Sequence, residues 1–313
     1  MAHTAPGKAY RKGISLLEII QRFPDEKAAE QWFIKTRWPV GVCCPECGSL
    51  NVQERKSRKP QPYRCRDCRK DFSIKTGTLM EGSKISLQKW AIAFYLSSTN
   101  LKGVSSMKLH RDLGVTQKTA WFMMHRIRET WRDNGGMFTG PCEADESYFG
   151  GKRKNMPKSK RENLKGRGTV DKAIVAGVKD RDTNQIKASV VESTDRETLQ
   201  GFIKDNVKEG AKVYTDDHAS YQDMPGFDHE AVKHSVGEYV REQAHTNGVE
   251  SFWAMLKRAH KGTFHKMSHK HLERYVNEFA GRHNIRPLDT IDQMESIVSG
   301  MHGKRLRYDD LVA

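Results

Sequence analysis

The chain has 313 residues, of which 36% are hydrophobic and 30% charged, so it can form two or three domains. Lysine and arginine number 54 against 39 acidic residues, and the net charge of +15 favours a polyanionic partner such as nucleic acid. A basic protein without such a partner is the alternative. No apolar run reaches the roughly 20 residues of a membrane span, and the N-terminal stretch lacks the apolar core of an export signal. These features argue against the membrane and exported classes and predict a cytoplasmic protein.

The first predicted elements are two helices, followed by a cysteine-rich segment. Apolar residues at three- and four-residue spacing predict helix over residues 14–38, divided at Pro24 and Asp25. From residue 41 to 82, short β-type stretches alternate with Cys-x-x-Cys turns, and the apolar content is too low for an independent core. The sequence therefore predicts an N-terminal helical segment over 1–40 and a small domain over 41–82.

Four of the six cysteines form two Cys-x-x-Cys pairs separated by 17 residues. In a cytoplasmic chain this pattern indicates metal rather than disulfides, and two such turns complete a tetrahedral site for a structural Zn²⁺. The predicted ligands are Cys44, Cys47, Cys65 and Cys68. Cys43 is an alternative to Cys44 but lacks the two-residue spacing to Cys47, and the distant Cys142 is expected to pack in a strand. Basic residues between the pairs suit DNA contact, although a purely structural zinc ribbon is the alternative.

Residues 83–135 are predicted to form a helical, helix-turn-helix-like DNA-binding domain. A helix over 85–98 precedes a second helix, a tight turn at Gly114 and Val115, and a third helix with Thr116 as its N-cap. Polar side chains at the start of a recognition helix can reach base edges. The predicted DNA contacts are Thr116, Gln117, Lys118 and Thr119. Helical hairpins of this kind also occur in cores that bind no DNA, but the ribbon and the net charge favour DNA binding.

Residues 138–290 are predicted to form an α/β or α+β domain. Stretches rich in valine, isoleucine and alanine predict strands over 141–150, 172–180, 185–192 and 212–217, with a fifth candidate at 229–235. A helix over 194–207 shows a capping-box pattern in Thr194 and Glu197, and helices over 245–262 and 268–284 follow the last strand. Residues 291–313 are predicted to be a C-terminal tail.

A basic insertion, residues 150–168, interrupts this domain with eight lysine or arginine residues and one acid. It is predicted to be a solvated, mobile loop between two strands. The same composition suits an arm that grips DNA phosphates, and its predicted DNA contacts are Lys152, Arg153 and Lys154.

Three carboxylates stand at informative positions in the α/β region. Asp145 lies in the middle of the first predicted strand, Asp216 follows a β-type run, and Glu250 begins a helix. Each alone is compatible with a solvated surface residue, but together they can converge on one point. Clustered carboxylates suit Mg²⁺ or Mn²⁺, and two such ions can hold both oxygens of an in-line phosphoryl displacement.

This order of acids, with Lys257 seven residues after Glu250, resembles the RNase H-like catalytic domain of DDE transposases. The segments "ADESYFGGKRK", "VYTDDHASY" and "HTNGVESFWAMLKRAHKG" are similar to one group, the insertion sequence 1595 family of bacterial transposases, which also carries a CPxC…CxxC ribbon. The resemblance covers roughly residues 15–290.

The resemblance implies binding of terminal inverted repeats, metal-dependent cleavage at the transposon ends, and transfer of 3′-ends into target DNA. Asp145 and Asp216 would bind the metal, Lys257 would contact DNA near the scissile phosphate, and Arg258 would also contact DNA. The partners would be double-stranded DNA and at least a second copy of the chain, in the nucleoid of a bacterium.

The third metal ligand stays open between two residues. Members of the family are described with Glu, Asn or His, and Glu250 is favoured because a carboxylate is the harder ligand. Asn247 is the alternative, and Asp217 and Glu146 are weaker substitutes for their neighbours. Two other functions remain open: an RNase H-like nuclease or resolvase without strand transfer, and a catalytically inactive DNA-binding regulator.

Overall fold

The computed structural model of the protein describes residues 12–132, 135–151, 155–163, 171–232 and 245–313. The chain divides into two compact units: Met1–Arg132 together with Ile285–Ala313, and Asp133–Asn284. Within the described ranges, no helix is long and apolar enough to cross a membrane.

The first unit begins with two capped helices, α1 (Leu16–Arg22) and α2 (Glu26–Arg37). The side chain of Ser15 caps α1, and the carboxylate of Asp25 caps α2 by accepting the N–H of Ala28 at 2.8 Å. The break at Pro24 and Asp25 is therefore confirmed, and its cause is the second cap.

The cysteine-rich segment forms an antiparallel sheet of β1 (Val52–Glu54), β2 (Tyr63–Cys65) and β3 (Asp71–Phe72). Tyr63 and Phe72 are register partners, and both rings pack edge-on against Trp38, with centroids 5.9 and 6.0 Å away. Their core is shared with the surrounding helices. The predicted boundary at residue 40 therefore does not separate two cores, because the ribbon depends on its neighbours for apolar burial.

The central helices of this unit are α3 (Leu87–Thr99), α4 (Ser106–Leu113) and α5 (Gln117–Glu129). Gly114 ends α4 with a φ of 58°, a left-handed conformation that glycine adopts without strain. Thr116 caps α5 by accepting the N–H of Thr119 at 3.1 Å, as predicted. On the inner face, Met124 and Ile127 are buried, whereas Trp121 and Phe122 are half-buried.

The predicted C-terminal tail is instead part of the first unit. Residues from 285 onward rejoin it and form α10 (Thr290–Ser299) and α11 (Tyr308–Val312). Met294, Ile297 and Met301 are fully buried in its core. Met294 and Ile297 lie on one apolar face of α10, which must be covered by other elements, and Met301 follows the end of this helix. The boundary predicted at residue 290 moves to residue 285 for this reason.

The second unit is built on a five-stranded mixed sheet in the order β6-β5-β4-β7-β8. The strands are β4 (Cys142–Phe149), β5 (Ala173–Asp180), β6 (Ile186–Val191), β7 (Lys212–Asp216) and β8 (Asp228–Val232). Strand β5 pairs antiparallel with both β4 and β6, and β7 and β8 run parallel to β4. The five strands lie close to the predicted positions, and the fifth candidate is confirmed for the part that is described.

Helices cover both faces of this sheet. Alternate residues of β4 and β5 pack either against α7 (Arg196–Asn206) or against α8 (Asn247–Ala259) and α9 (His269–Asn284). The N-cap of α7 is Asp195, which accepts the N–H of Thr198 at 2.8 Å, rather than the predicted Thr194. The basic insertion contains a short helix, α6 (Lys158–Asn163), where only a loop was expected.

Candidate active site and zinc site

The four predicted zinc ligands come together in the first unit. The ligand atoms of Cys44, Cys47, Cys65 and Cys68 all lie within 4.8 Å of one another, and Sγ–Sγ distances are 3.5 Å for Cys44–Cys68 and 3.6 Å for Cys47–Cys65. A tetrahedral zinc site with Zn–S bonds of about 2.3 Å has edges of about 3.8 Å. The thiol set therefore fits a structural Zn²⁺ with little movement.

Cys43 lies outside this group of ligand atoms, as its spacing predicted, and packs partly against the core. Cys142 is fully buried in β4. Asp67 links the two Cys-x-x-Cys turns, because its carboxylate accepts hydrogen bonds from Asn51 Nδ2 at 2.8 Å and from the hydroxyl of Ser49. The turns are thus held together by hydrogen bonds as well as by their thiol positions.

In the second unit, Asp145 and Asp216 occupy equivalent positions on adjacent parallel strands. The β4–β7 pairing ends at Glu143 and Tyr214, and Asp145 and Asp216 each lie two positions beyond the residue at which this pairing ends. Their carboxylates interact electrostatically, since Asp216 contributes to raising the pKa of Asp145. The structure therefore brings these two predicted ligands together where the strands separate.

The environment of Asp145 disfavours its ionised form. Burial raises its pKa to about 7, and the charges of Glu146 and Asp216 add to this shift. Two hydrogen bonds oppose it: the backbone N–H of Glu146 and the indole N–H of Trp253, which donates to Asp145 Oδ2 at 2.9 Å, both lower the pKa. A bound cation would stabilise the ionised form of these two buried, mutually repelling carboxylates. Carboxylate oxygens suit Mg²⁺ or Mn²⁺.

A third acid, Glu146, lies beside this pair on the α7 side of β4. Burial raises its pKa, and the charge of Asp216 raises it further. The hydroxyl of Tyr221 donates to Glu146 Oε2 at 2.8 Å, and the backbone N–H of His218 donates to Asp216 Oδ1 at 3.1 Å. Sequence reasoning missed Tyr221, which is fully buried and resembles an ordinary core aromatic.

The start of α8 is anchored to β4 by Glu143. Its Oε2 accepts the backbone N–H groups of Gly248 at 2.7 Å and Val249 at 3.0 Å, while Oε1 pairs with Arg181 Nε at 2.9 Å and His245 Nδ1 at 3.3 Å. Glu143 is 2% exposed, so its carboxylate is buried, whereas Arg181 and His245 are partly exposed. The sequence offered one signal for the position of Glu143. Glu143 and Asp145 are two positions apart on a buried strand and therefore face the same side of the sheet.

The remaining predicted residues of this site lie on the outer face of α8. Asn247, Glu250, Lys257 and Arg258 are all exposed. Glu250 accepts a hydrogen bond from Thr246 Oγ1 at 3.0 Å. In the described part of the chain, the cysteine group is the only set of three or more histidine, cysteine or acidic ligands within 4.8 Å. Glu250 therefore lies on the exposed face of α8 and does not form a three-ligand group of this size with the two aspartates.

The predicted DNA contacts of α5 are accessible at its first turn. Thr116, Gln117 and Lys118 are exposed and Thr119 is half-buried. Gln117 Nε2 donates to Ser106 Oγ of α4 at 2.9 Å. The other predicted contacts, Lys152, Arg153 and Lys154, lie outside the described residues.

Comparison with known proteins agrees with this arrangement. Residues 137–284 match the model of the ISXO2-like transposase domain, and residues 24–71 match the transposase zinc-ribbon domain. A protein of Halobacterium salinarum described as an uncharacterized protein in transposable element ISH50 is 30% identical over 85% of this chain and 93% of its own length. An uncharacterized transposase-like protein of Haemophilus influenzae is 31% identical over 36% of this chain and 91% of its own. The chain belongs to the insertion sequence 1595 family of transposases.

Proposed function

We propose that the protein is a DDE-type DNA transposase that binds terminal inverted repeats, cleaves at the transposon ends and joins their 3′-ends to target DNA. The observation that carries the proposal is the placement of Asp145 and Asp216 at equivalent positions beyond the end of the β4–β7 pairing, where their carboxylates interact electrostatically. Three antiparallel strands followed by two parallel ones, in the order β6-β5-β4-β7-β8, support an RNase H-like fold for this unit.

The residues fit divalent cations. Asp145 and Asp216 supply hard oxygen donors in a partly buried site where a cation would offset their repulsion. Glu250 is the proposed third ligand, with Asn247 as the alternative on the same helix face. Because the three side chains are not within 4.8 Å of one another, binding a shared ion requires Glu250 to approach the aspartates. When bound, Mg²⁺ or Mn²⁺ stabilises the charge on the attacking and leaving oxygens.

The chain's own side chains would position the DNA. Lys257 and Arg258 are exposed on the same helix as Glu250 and would pair with backbone phosphates. Cleavage breaks the phosphorus–O3′ bond at the end of the element and adds water to the phosphorus. Joining then forms a phosphorus–oxygen bond from the freed 3′-hydroxyl to the target and releases a target 3′-hydroxyl.

Recognition of the ends would fall to the first unit. Helices α4 and α5 with the turn at Gly114 suit a helix-turn-helix, and the exposed start of α5 would enter the major groove. The zinc ribbon would add phosphate contacts through its basic surface. Two ends are joined in one reaction, so we propose a dimer or higher oligomer on DNA.

The test is incubation of the zinc-loaded protein with labelled DNA duplexes that carry the element's ends, in Mg²⁺. We expect nicking at the 3′-ends followed by joined products. The variant Asp145→Asn should bind the ends but leave them uncut, whereas Asp217→Asn, at the exposed neighbour of Asp216, should keep cleavage. Cleavage without joining would indicate a nuclease, and end binding by the wild type without any cleavage would indicate a regulator.

A further inference from the structure

Trp253 occupies a slot beside the proposed metal site. Its side chain is 3% exposed, and its indole N–H donates to Asp145 Oδ2 at 2.9 Å. Across the sheet, Asp145 is the register partner of Gly177 on β5. A Cβ atom on Gly177 would lie 2.7 Å from Cζ2 and 2.8 Å from Cη2 of Trp253. The indole therefore fills the space that a side chain at residue 177 would take.

The indole cannot easily move away from such a side chain. It is rigid, and it packs against Phe252 and Phe149, with ring centroids 5.1 and 6.3 Å away. A Cβ on Gly177 would also lie 3.5 Å from Cγ2 of Val249, on the preceding turn of the same helix. Any displacement of the ring would lengthen or break the bond to Asp145, because that bond depends on the in-plane position of Nε1.

The bond has a consequence for both acids of the site. It fixes the position of Oδ2 and so restricts rotation of the Asp145 carboxylate. Trp253 also lies three residues after Glu250 on α8, so the same bond ties the helix that carries Glu250 to the strand that carries Asp145. Partners that hydrogen-bond to metal ligands typically orient them and strengthen metal binding.

We propose that Trp253 is a positioning residue that orients the Asp145 carboxylate for metal binding, and that Gly177 is required opposite Asp145 to admit the indole. The inference rests on the proposed function, since it assigns the metal to Asp145. It adds two residues, Trp253 and Gly177, that the catalytic acids alone do not identify.

The test compares Trp253→Phe and Gly177→Ala with the wild type in the zinc-loaded, full-length chain. Manganese binding is measured by calorimetry without DNA, and end nicking is measured as a function of Mg²⁺ concentration. Trp253→Phe removes the N–H donor, and Gly177→Ala displaces it. Each should raise the Mn²⁺ Kd and the Mg²⁺ concentration for half-maximal nicking by roughly 10- to 100-fold, with affinity for the ends unchanged.

The double variant separates positioning from simple packing. Phenylalanine lacks the Cζ2 and Cη2 atoms that approach residue 177, so Gly177→Ala should have little further effect on metal affinity in the Trp253→Phe background. If the two substitutions instead weaken metal binding independently, so that their fold-changes in Kd multiply in the double variant, the proposal is wrong. Matched controls are Trp90→Phe, which removes a buried indole bonded to Ser83 Oγ in the first unit, and Gly201→Ala, where a new Cβ meets nothing within 4 Å. Both should bind Mn²⁺ like the wild type.

The outcomes also distinguish this inference from the proposed function. If the wild type neither binds Mn²⁺ nor nicks the ends, the proposed function fails. If Asp145→Asn abolishes Mn²⁺ binding but Trp253→Phe binds with wild-type affinity, only the positioning role of Trp253 fails.

Discussion

The carboxylate of Glu143 on β4 holds the backbone N–H of Gly248, 105 residues later, at 2.7 Å. This bond takes the place of a local N-cap, because Thr246 makes no side-chain capping bond to α8. The start of the helix that carries Glu250 is therefore fixed by the strand that carries Asp145.

Replacing Glu143 by glutamine should lower the free energy of unfolding of the second unit by about 3 kcal/mol. Both carboxylate oxygens accept hydrogen bonds, from backbone N–H groups on one side and Arg181 on the other. A glutamine amide has one oxygen, so its NH₂ group must face donors. Urea unfolding measures the loss. The control Asp112→Asn breaks the exposed Lys108 pair and should cost less than about 0.5 kcal/mol; an equal loss in both variants would contradict a buried anchor.

Gly248→Ala should destabilise the second unit by about 1–3 kcal/mol and reduce end cleavage. A Cβ at this position would lie 2.6 Å from Glu143 Oε2 and 2.8 Å from Lys179 Nζ, so the anchoring bond must lengthen. Thermal unfolding and nicking rates measure the two effects. Gly201→Ala in α7 is the control, and it should be neutral or slightly stabilising. Wild-type cleavage by Gly248→Ala would show that the start of α8 tolerates displacement.

Cys65→Ser should remove the zinc and with it the binding of DNA ends. The ribbon shares its core with α2, so losing the metal should also lower the stability of the first unit. Zinc content is measured by elemental analysis, and DNA binding by gel shift. Cys43→Ser is the matched control, because Cys43 lies outside the ligand group, and it should retain one zinc per chain. If Cys43→Ser loses the zinc instead, Cys43 is the ligand in place of Cys44.

The free energy of unfolding of the metal-free protein should fall as the pH rises from about 4 to 7. Burial raises the pKa of Asp145 from 3.8 to about 7, so the folded chain holds this proton where the unfolded chain has released it. The folded state therefore loses stability through that window. Asp145→Asn should unfold at a higher temperature than the wild type at pH 8 in magnesium-free buffer. Added Mg²⁺ should stabilise the wild type but not the variant, and an unchanged melting temperature would contradict the assignment.

Gln117→Ala and Lys118→Ala should weaken end binding in different ways. Gln117 begins α5 and can reach a base edge, so its loss should cost about 1–3 kcal/mol and relax sequence preference. Lys118 is exposed above the ring of Tyr308, 4.3 Å from its centroid. As a phosphate contact, its loss should lower the salt dependence of binding without changing preference. Titrations with matched and scrambled ends at several salt concentrations separate the two.

The site residues that the sequence predicted were those whose role follows from their spacing to nearby residues in the chain. The zinc ligands follow from two short turns, and Asp145 and Asp216 follow from acids placed in and after apolar strands. Strand alternation puts Glu143 on the same side as Asp145, but its role and that of Trp253 could not be predicted from spacing, since both depend on partners more than 100 residues distant. In the sequence they resemble a surface acid and a core aromatic.

The distance of Glu250 from the aspartates was also beyond sequence reasoning. Helical spacing put it on one face with Asn247 and Lys257, which was expected to point at the two aspartates, and the structure shows all three residues exposed. It did not reveal that the helix is pinned at Gly248 and Trp253 while the Glu250 side chain bonds to Thr246. Which residue completes the site stays a prediction for Glu250 and Asn247.

The return of residues 285–313 to the first unit has a consequence for how the protein is made. The buried residues from Met294 to Leu311 complete a core whose other buried members lie between Ile19 and Trp131. The part of the chain synthesised first is therefore the last to finish its core, after the whole second unit has left the ribosome. A product truncated at residue 284 would keep every strand of the larger sheet yet lose support for the ribbon and α5. Premature termination should thus impair recognition of DNA ends before it impairs the catalytic unit.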